Sequence, residues 1–215
     1  MSETTPSQSQ ITETTSRHRG FQGKVIFDIS LSLDGFITGP NDSPEQPLGE
    51  GGERLHEWMF LPSGGPIRPE VDEERFKTIG AMVMGRRMFD VGEESWGENP
   101  PFHLPVFILS HAAKETLIKE GGTSYTFVTS GIENVLAQAK AAAGDQNVQV
   151  MGGANLAQQF LTAGLLDEIQ LHLVPVLLGE GKRLFEHLGS EPLELEIISV
   201  IQPKEVIHLR FRIVK

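Results

Sequence analysis

Short apolar runs that alternate with helix-like segments restrict the fold of this chain more than any other feature. Four of these runs stand at 81–84, 106–109, 125–129 and 148–151. Each has the length of a buried strand, and the last two are followed by segments that predict a helix. Strands that alternate with helices predict a mainly parallel sheet covered by helices on both faces.

The two ends of the chain complete the predicted sheet. Residues 24–33 alternate apolar and polar side chains in their later part, as a strand with one wet face does. Ile169 to Leu178 has the pattern of a long strand that contains Pro175, and segments 193–201 and 206–214 predict a closing antiparallel pair. We therefore predict roughly eight strands and four or five helices in a three-layer α/β/α arrangement. The helices are predicted around Leu55, Trp58 and Met59, over 71–79, from a capping box at Ser130 and Glu133 to Gly144, and around Leu156, Phe160 and Leu161.

One folded domain accounts for most of the 215 residues. Residues 1–20 are rich in Ser, Thr and Gln and have almost no large apolar side chains, so they cannot offset the entropy that ordering would cost. We predict a flexible tail over 1–20 and a single domain over 21–215.

Composition excludes several classes of protein. The chain has no cysteine, which excludes disulfides and thiol catalysis and fits a reducing compartment. A formal net charge of −11 argues against a protein that coats nucleic acid. No apolar stretch is long enough to span a bilayer, and the first residues lack the order of a signal peptide. We predict a cytoplasmic protein without a nucleic-acid or membrane partner.

No metal site is predicted. The seven histidines are scattered without the spacing of metal ligands. His56-Glu57 begins like a zinc-protease motif, but Phe60 stands where the second histidine of that motif would be.

The strongest local signal lies between Val148 and Phe160, V-Q-V-M-G-G-A-N-L-A-Q-Q-F. A buried strand ends in Gly152 and Gly153, and a helix begins at once. Glycines let a ligand approach the backbone closely, and the start of a helix suits a phosphate or pyrophosphate. The alternative is a tight turn that needs glycine for geometry alone, and the segment by itself leaves both interpretations open.

A second predicted strand also ends in a glycine, Gly85, and is followed by Arg86 and Arg87. The guanidinium fork matches the oxygens of a phosphate, so arginine is the usual partner of a 2′-phosphate. Two solvated arginines on a helix surface are the alternative, which this motif alone favours.

Five motifs in order carry a resemblance to a known family. They are S-L-D-G-F-I-T-G at 32–39, V-M-G-R-R-M-F at 83–89, V-F-I-L-S at 106–110, M-G-G-A-N-L-A-Q-Q-F-L at 151–161 and L-L-D-E-I-Q-L-H-L-V-P-V-L-L-G-E-G at 165–181. Over about residues 24 to 214 the chain resembles the dihydrofolate reductase superfamily. The branch it resembles more closely includes the reductase half of the bifunctional riboflavin-biosynthesis deaminase/reductase. The resemblance implies a dihydrofolate-reductase-like fold with a mostly parallel eight-stranded sheet, an antiparallel C-terminal strand pair and NADPH lying across the sheet.

The resemblance also implies which residues hold the cofactor. The pyrophosphate would lie on Gly152, Gly153, Ala154 and Asn155, with Met151 and Leu156 beside them. Gly85, Arg86 and Arg87 would face the phosphates, Leu109, Ser110 and His111 would line the adenosine end, and Ser30, Ile37 and Thr38 would pass near the nicotinamide. Asp34 would shape the strand-end turn rather than act in catalysis.

The substrate is predicted beside the nicotinamide, between the helix at 53–60 and the loop at 96–103. Trp58, Trp96 and Phe102 could form its apolar walls, although Trp58 would serve at least equally well in core packing. Glu57, His56 and His103 are the candidate proton donors. Neither Glu53 nor Glu57 aligns cleanly with the acidic residue that grips the pterin in dihydrofolate reductase, so dihydrofolate is not the expected substrate.

These features predict an NADPH-dependent oxidoreductase that transfers hydride to a small heterocyclic or carbonyl-type substrate. One alternative is a riboflavin-pathway pyrimidine-phosphate reductase, of the 5-amino-6-(5-phosphoribosylamino)uracil reductase type. A second alternative is a nucleotide-binding protein without catalysis. A homodimer would be favoured if the apolar strand at 169–178 lies near a sheet edge, which the sequence does not show.

Overall fold

The computed structural model describes residues 21–60 and 77–215. The predicted tail over 1–20 and most of the predicted helix over 71–79 lie outside the described residues. The strands, in chain order, are β1 (Val25–Ser32), β2 (Phe36–Thr38), β3 (Ile79–Gly85), β4 (Pro105–Leu109), β5 (Leu117–Ile118), β6 (Ser124–Val128), β7 (Asn147–Gly152), β8 (Glu168–Val174), β9 (Lys182–Arg183), β10 (Leu195–Ile201) and β11 (Ile207–Ile213).

Nine of the described strands form one twisted sheet in the order β10-β11-β8-β1-β7-β3-β4-β6-β5. The six strands from β8 to β6 run parallel, whereas β11 and β10 form an antiparallel pair beside β8. This confirms the predicted mostly parallel sheet and its antiparallel C-terminal pair. The ninth strand, β5, is a two-residue edge strand antiparallel to β6, too short to give a sequence signal. Strands β2 and β9 form a separate small ladder.

In the part of the chain that the structure describes, α1 (Arg86–Trp96), α2 (Ile132–Ala143) and α3 (Ala154–Thr162) cover the two faces of the sheet. Helices α2 and α3 pack on one face, where a first core cluster gathers side chains such as Phe27, Val83 and Phe160. Helix α1 packs on the other face, where Met82 and Phe89 belong to a second cluster. Because successive strand residues point to opposite faces, β3 and β4 contribute to both cores, as their continuous apolar runs predict.

The structure corrects three local predictions. The segment around Leu55, Trp58 and Met59 forms two short 3-10 helices, Gly52–Leu55 and Glu57–Met59, instead of one amphipathic α-helix. The predicted capping box at Ser130 and Glu133 is not formed, because Gly131 is the N-cap residue and no side chain caps the helix. Strand β8 ends at Val174 rather than at Leu178, since Pro175 has no N–H to donate to a ladder.

Strand β1 lies at the centre of the sheet, between β7 and β8. It pairs with β8 over seven residues, from Ile26 opposite Glu168 to Ser32 opposite Val174. The carboxyl ends of the parallel strands therefore lie side by side at one end of the sheet, which is where open α/β sheets bind their ligands.

Candidate functional site

A cavity of about 810 Å³ opens at the carboxyl ends of the parallel strands. Gly85 ends β3, Leu109 ends β4, Thr129 follows β6 and Gly153 follows β7, and all four line this cavity. Its volume falls within the roughly 300–1,000 Å³ that small-molecule and cofactor sites occupy.

Most of the residues predicted to hold a cofactor meet in the wall of this cavity. They are Ile37, Thr38, Gly85, Arg86, Arg87, Leu109, Ser110, His111, Gly153, Ala154, Asn155 and Leu156. Ser30, Met151 and Gly152 lie behind the wall: Ser30 and Gly152 are buried, and Met151 packs against the second core cluster. Four segments that are distant in the sequence thus converge on one site, and Gly181 of the fifth motif lines the same cavity.

The turn from β7 into α3 forms one side of the cavity. Gly152 has φ +116°, which side chains rarely adopt, and the peptide bond between Gly152 and Gly153 is cis. A Cβ atom on Gly153 would meet no protein atom within 4 Å. Helix α3 begins directly afterwards with no acidic residue in its first turn, and the first N–H groups of a helix have no acceptor within the helix. This cradle can accept an anionic group against the backbone.

The two arginines at the start of α1 face different neighbours. Arg86 donates from Nε to Asp90 at 2.6 Å, and its Nη1 lies 3.4 Å from the Ser110 hydroxyl. Arg87 donates to the carboxylate of Asp42 at 2.8 Å. Only Arg86 therefore reaches toward the end of β4, where Ser110 and its neighbours form the wall.

Asp42 lies in the loop after β2 and contacts residues at the mouth of the cavity. Its carboxylate, which is only 10% exposed, pairs with both Arg87 and Lys182. Burial by itself raises the pKa of Asp42, but the hydrogen bonds from Lys182 and Arg87 outweigh this and hold the pKa below its ordinary value. The carboxylate therefore stays charged, and it holds the 39–52 loop across one end of the cavity.

Asp34 organises the turn between β1 and β2. Its carboxylate accepts hydrogen bonds from the Ser32 hydroxyl at 2.6 Å and from the backbone N–H groups of Leu178 and Gly179. The Ser32 hydrogen bond contributes most to lowering the pKa of Asp34, to about 2, and the two backbone donors add to it. Asp34 lies outside the cavity wall, which agrees with the turn-shaping role that the resemblance implies.

His56 is the predicted proton donor that the structure places at the cavity. It stands between the two 3-10 helices, and burial lowers the pKa of its imidazole to about 4, with a further contribution from His172. At neutral pH the ring is therefore uncharged and carries one donor and one acceptor nitrogen.

A cluster behind His56 was not predicted from the sequence. His172 is buried on β8, where its Nε2 lies 3.0 Å from Asp28 Oδ1 and its Nδ1 lies 2.7 Å from Nδ1 of His208. Trp58 packs on both imidazoles, with ring centroids 4.7 and 5.0 Å away, and donates from Nε1 to the Ser30 hydroxyl at 3.1 Å. Trp58 therefore serves in core packing and does not line the cavity.

The remaining predicted substrate and catalytic residues are placed elsewhere. Glu57 is exposed and pairs with Arg54 at 3.2 Å. Trp96 and Phe102 pack in the second core cluster, and His103 lies 3.0 Å from the carbonyl of Gly121. The reason is topological: α1 starts at the cavity and carries Trp96 about 15 Å away along its axis. The following loop then leads into the amino end of β4, so it lies at the end of the strands opposite the cavity.

Metal-ligand groups and membrane-spanning helices are two further features to look for in the described residues. In the part of the chain that the structure describes, no three His, Asp or Glu side chains are grouped as metal ligands would be. Among the same residues, no helix combines the length and apolar character needed to cross a membrane.

Comparison with known proteins agrees with this fold. The uncharacterized protein YyaP of Bacillus subtilis (strain 168) is 28% identical over 175 residues, which cover 76% of this chain and 81% of that protein. A protein of Shewanella sp. PV-4 with a provisional riboflavin-biosynthesis name has a similar structure, with a TM-score of 0.69, 24% identity, and coverage of 89% of this chain and 99% of that one. Dihydrofolate reductase from Enterococcus faecalis, solved in complex with NADP(H), has a TM-score of 0.55 at 16% identity, with coverage of 91% of this chain and 99% of that one.

The family model for the RibD C-terminal domain matches residues 23–209. This match takes in every motif that lines the cavity, from the first strand to the last parallel one. The chain has a fold like that of dihydrofolate reductase, and it belongs to the RibD C-terminal domain family.

Proposed function

We propose that this protein is an NADPH-dependent reductase that acts on a small heterocyclic or carbonyl-type substrate. The observation that carries the proposal is a cavity whose wall contains the Gly153 turn, the start of α3 and Arg86. A Cβ atom on Gly153 would meet no protein atom within 4 Å, so the backbone at this turn is open to a pyrophosphate. The neighbouring guanidinium of Arg86 suits a further phosphate.

The wall residues fit the proposed cofactor along its length. Gly153, Ala154, Asn155 and Leu156 would hold the pyrophosphate, with Gly152 and Met151 supporting the turn. Arg86 and Arg87 would neutralise the 2′-phosphate, Leu109, Ser110 and His111 would line the adenosine end, and Ile37 and Thr38 would lie near the nicotinamide, with Ser30 behind them. The Thr38 hydroxyl supports this placement, since it is buried without a hydrogen-bond partner among the described residues. Bound NADPH would supply the hydride.

The substrate would enter beside the loop that follows β2. Pro47 and Leu48 of this loop and His56 of the 3-10 segment line the same cavity and provide an apolar wall with one polar group. As a neutral imidazole, His56 can donate one hydrogen bond to a carbonyl or ring nitrogen of the substrate and thereby orient it. We retain His56 as the proposed proton-handling residue and set aside Glu57 and His103, which lie outside the wall.

A pyrimidine-phosphate reductase of the riboflavin pathway is the second candidate, and two observations favour it. One is the family to which the chain belongs. The other is the pair Lys182 and Arg183 on β9, which line the same cavity and would add positive charge for a second phosphate beside Arg87, since Lys182 and Arg87 both pair with Asp42.

Turnover is the direct test of the proposed activity. Purified protein with NADPH and a panel of pterins, pyrimidines, flavins and quinones should oxidise the cofactor with at least one compound, followed by absorbance of the reduced nicotinamide. Turnover of the riboflavin-pathway pyrimidine alone would promote the second candidate. Tight NADPH binding with no turnover across the panel would favour a nucleotide-binding protein without catalysis.

The low pKa of His56 predicts that acid weakens the fold. The unfolded chain takes up a proton at His56 near pH 6.5, whereas the folded chain does so only near pH 4. The contribution of the neutral His56 side chain to the free energy of unfolding is therefore complete above pH 6.5 and is lost as the pH falls toward 4. Its contribution should decline by at most about 1.4 kcal/mol per pH unit within that window.

Urea unfolding at pH 7.5, 6 and 5 would measure this effect. A His56→Gln variant, which cannot titrate, should show a shallower loss of unfolding free energy between pH 6.5 and 4 than the wild type. Equal slopes for the two proteins would contradict the assignment of this pH dependence to His56.

A further inference from the structure

A row of polar side chains crosses three neighbouring strands of the sheet. In register, Ser30 of β1 lies opposite His172 of β8, and His172 lies opposite His208 of β11. Residues that pair across strands share a face of the sheet, so these three side chains, which we call the polar row, stand side by side. Asp28 precedes Ser30 by two positions on β1 and therefore points to the same face.

The stability of the fold does not explain these buried polar groups. Asp28, Ser30 and His172 are 7%, 5% and 4% exposed. Burying such groups costs free energy unless they are hydrogen-bonded, and apolar side chains of similar size often stabilise a core equally well or better. A role in the neighbouring site is the alternative explanation.

Hydrogen bonds fix the orientation of the His172 ring at both of its nitrogens. Its Nε2 lies 3.0 Å from Asp28 Oδ1, and because a carboxylate can only accept, this nitrogen carries a proton. Its Nδ1 lies 2.7 Å from Nδ1 of His208, so one of these two nitrogens donates and the other accepts. The His172 imidazole therefore cannot turn without breaking at least one of the two bonds.

Trp58 lies on the polar row and contacts all three of its members. The indole packs on His172 and His208, with ring centroids 4.7 and 5.0 Å away, and its Nε1 donates to the Ser30 hydroxyl at 3.1 Å. The ring that Asp28 orients is thus part of the surface on which the indole rests. Turning or removing this ring would take away the central one of the three contacts.

Trp58 in turn holds the segment that places His56 in the cavity wall. His56 stands between the two 3-10 helices, neither of which has a side-chain cap. Helices of three or four residues have few hydrogen bonds of their own, so side-chain contacts determine where this segment lies. Leu55 precedes His56 and is fully buried in a third core cluster, whereas Trp58 follows it and rests on the polar row.

The pKa of His56 is a measurable sign of where its ring lies. Burial, and to a smaller extent the neighbouring His172, lower this pKa from 6.5 to about 4. A ring that moved out of this place would regain contact with water and take up a proton closer to pH 6.5. The titration of His56 therefore reports whether the ring remains in the cavity wall.

We propose that Asp28 and His172 are positioning residues that hold Trp58 and, through it, place the His56 imidazole in the cavity wall. Asp28 fixes the His172 ring, His172 supports the indole, and the indole anchors the segment beside His56. The value of this arrangement for the reaction rests on the proposed function, in which His56 orients the substrate. The arrangement itself is testable without turnover.

An NMR titration of the His56 ring in the full chain tests the proposal. The His56 signal is the one that is absent from the spectrum of the His56→Gln variant. In the wild type this ring should stay neutral from pH 8 down to about pH 5, whereas in His172→Ala and in Asp28→Ala its midpoint should rise above about pH 5, toward 6.5.

Two further variants serve as controls for this titration. Asp28→Asn keeps an acceptor for the His172 ring, so it should restore a His56 midpoint near that of the wild type. His187→Asn changes an exposed histidine and should leave the His56 midpoint unchanged. If His172→Ala does not fold, Ser30→Ala removes only the acceptor of the Trp58 indole and should still raise the midpoint.

Cofactor affinity and kinetics separate positioning from general damage to the fold. His172→Ala should bind NADPH as the wild type does, while kcat/KM for any compound that is turned over should fall about tenfold or more. A His56 ring that stays neutral down to pH 5 in all three alanine variants would overturn the proposal, and so would a wild-type midpoint near 6.5. Raised midpoints in a protein without turnover would support the positioning role and contradict the proposed function instead.

Discussion

Replacing Gly153 with valine should abolish NADPH binding while the folded protein remains intact. Gly153 has φ −76°, which any residue can adopt, and its Cβ position contacts no protein atom within 4 Å. The added side chain would therefore occupy the cavity at the proposed pyrophosphate position. We expect at least a hundredfold loss of affinity, about 3 kcal/mol. Titration of NADPH against protein fluorescence would measure it.

The matched control for this variant is Ala141→Val, which adds a similar branched side chain to the exposed surface of α2. Both variants should melt within a few degrees of the wild type in the absence of ligand, and only Gly153→Val should lose affinity. If Gly153→Val folds and binds NADPH as the wild type does, the pyrophosphate lies elsewhere.

The wild-type protein should prefer NADPH to NADH by about tenfold to a hundredfold, and the Arg86→Ala, Arg87→Ala double variant should lose this preference. A charge-assisted hydrogen bond to the 2′-phosphate contributes roughly 1.5–3 kcal/mol, which corresponds to that range. Arg86 should account for most of the effect, because it reaches Ser110 in the cavity wall whereas Arg87 is paired with Asp42.

Single variants and a control would separate these contributions. Arg86→Ala should remove most of the preference, and Arg87→Ala should remove less. Arg54→Ala, which removes an exposed arginine paired with Glu57, should leave the affinity for both cofactors unchanged. Equal affinity of the wild type for NADPH and NADH would contradict the proposed role of the two arginines, as would a double variant that keeps the preference.

The architecture of the sheet could be predicted because its strands are buried on both faces. Runs such as A-M-V-M at 81–84 mark strands by composition alone, and their alternation with helices dictates a parallel sheet. The order of the strands is a different matter. Strand β7 lies between β1 and β3 because of crossover connections, and no short sequence pattern specifies these connections. The sequence therefore could not show which strand is outermost in the sheet. The apolar segment at 169–178 proved to contain an inner strand, and the edge strand is β10.

The part of the cavity wall that is proposed to hold the cofactor was more predictable than the part proposed to receive the substrate. Residues that end a parallel strand or begin the following helix meet at one edge of the sheet, so Gly85 and Gly153 could be placed together from their motifs. Trp96, Phe102 and His103 precede β4 instead of following it, so they lie near the amino ends of the strands, away from the cavity. The pair Asp28 and His172 was missed because two isolated polar residues in apolar strands show nothing until the register of β1 on β8 is known.

The central position of β1 also determines when this protein can fold during its synthesis. Both neighbours of β1 come late in the chain, since β7 begins at Asn147 and β8 at Glu168. At typical elongation rates of about 5–20 residues per second, β1 waits on the order of 10 s after it is made before its first neighbour has been translated. Through that interval Phe27 and the other apolar residues of β1 have no sheet in which to be buried. We therefore expect nascent chains of this topology to need protection from aggregation for longer than chains whose first strands pair locally.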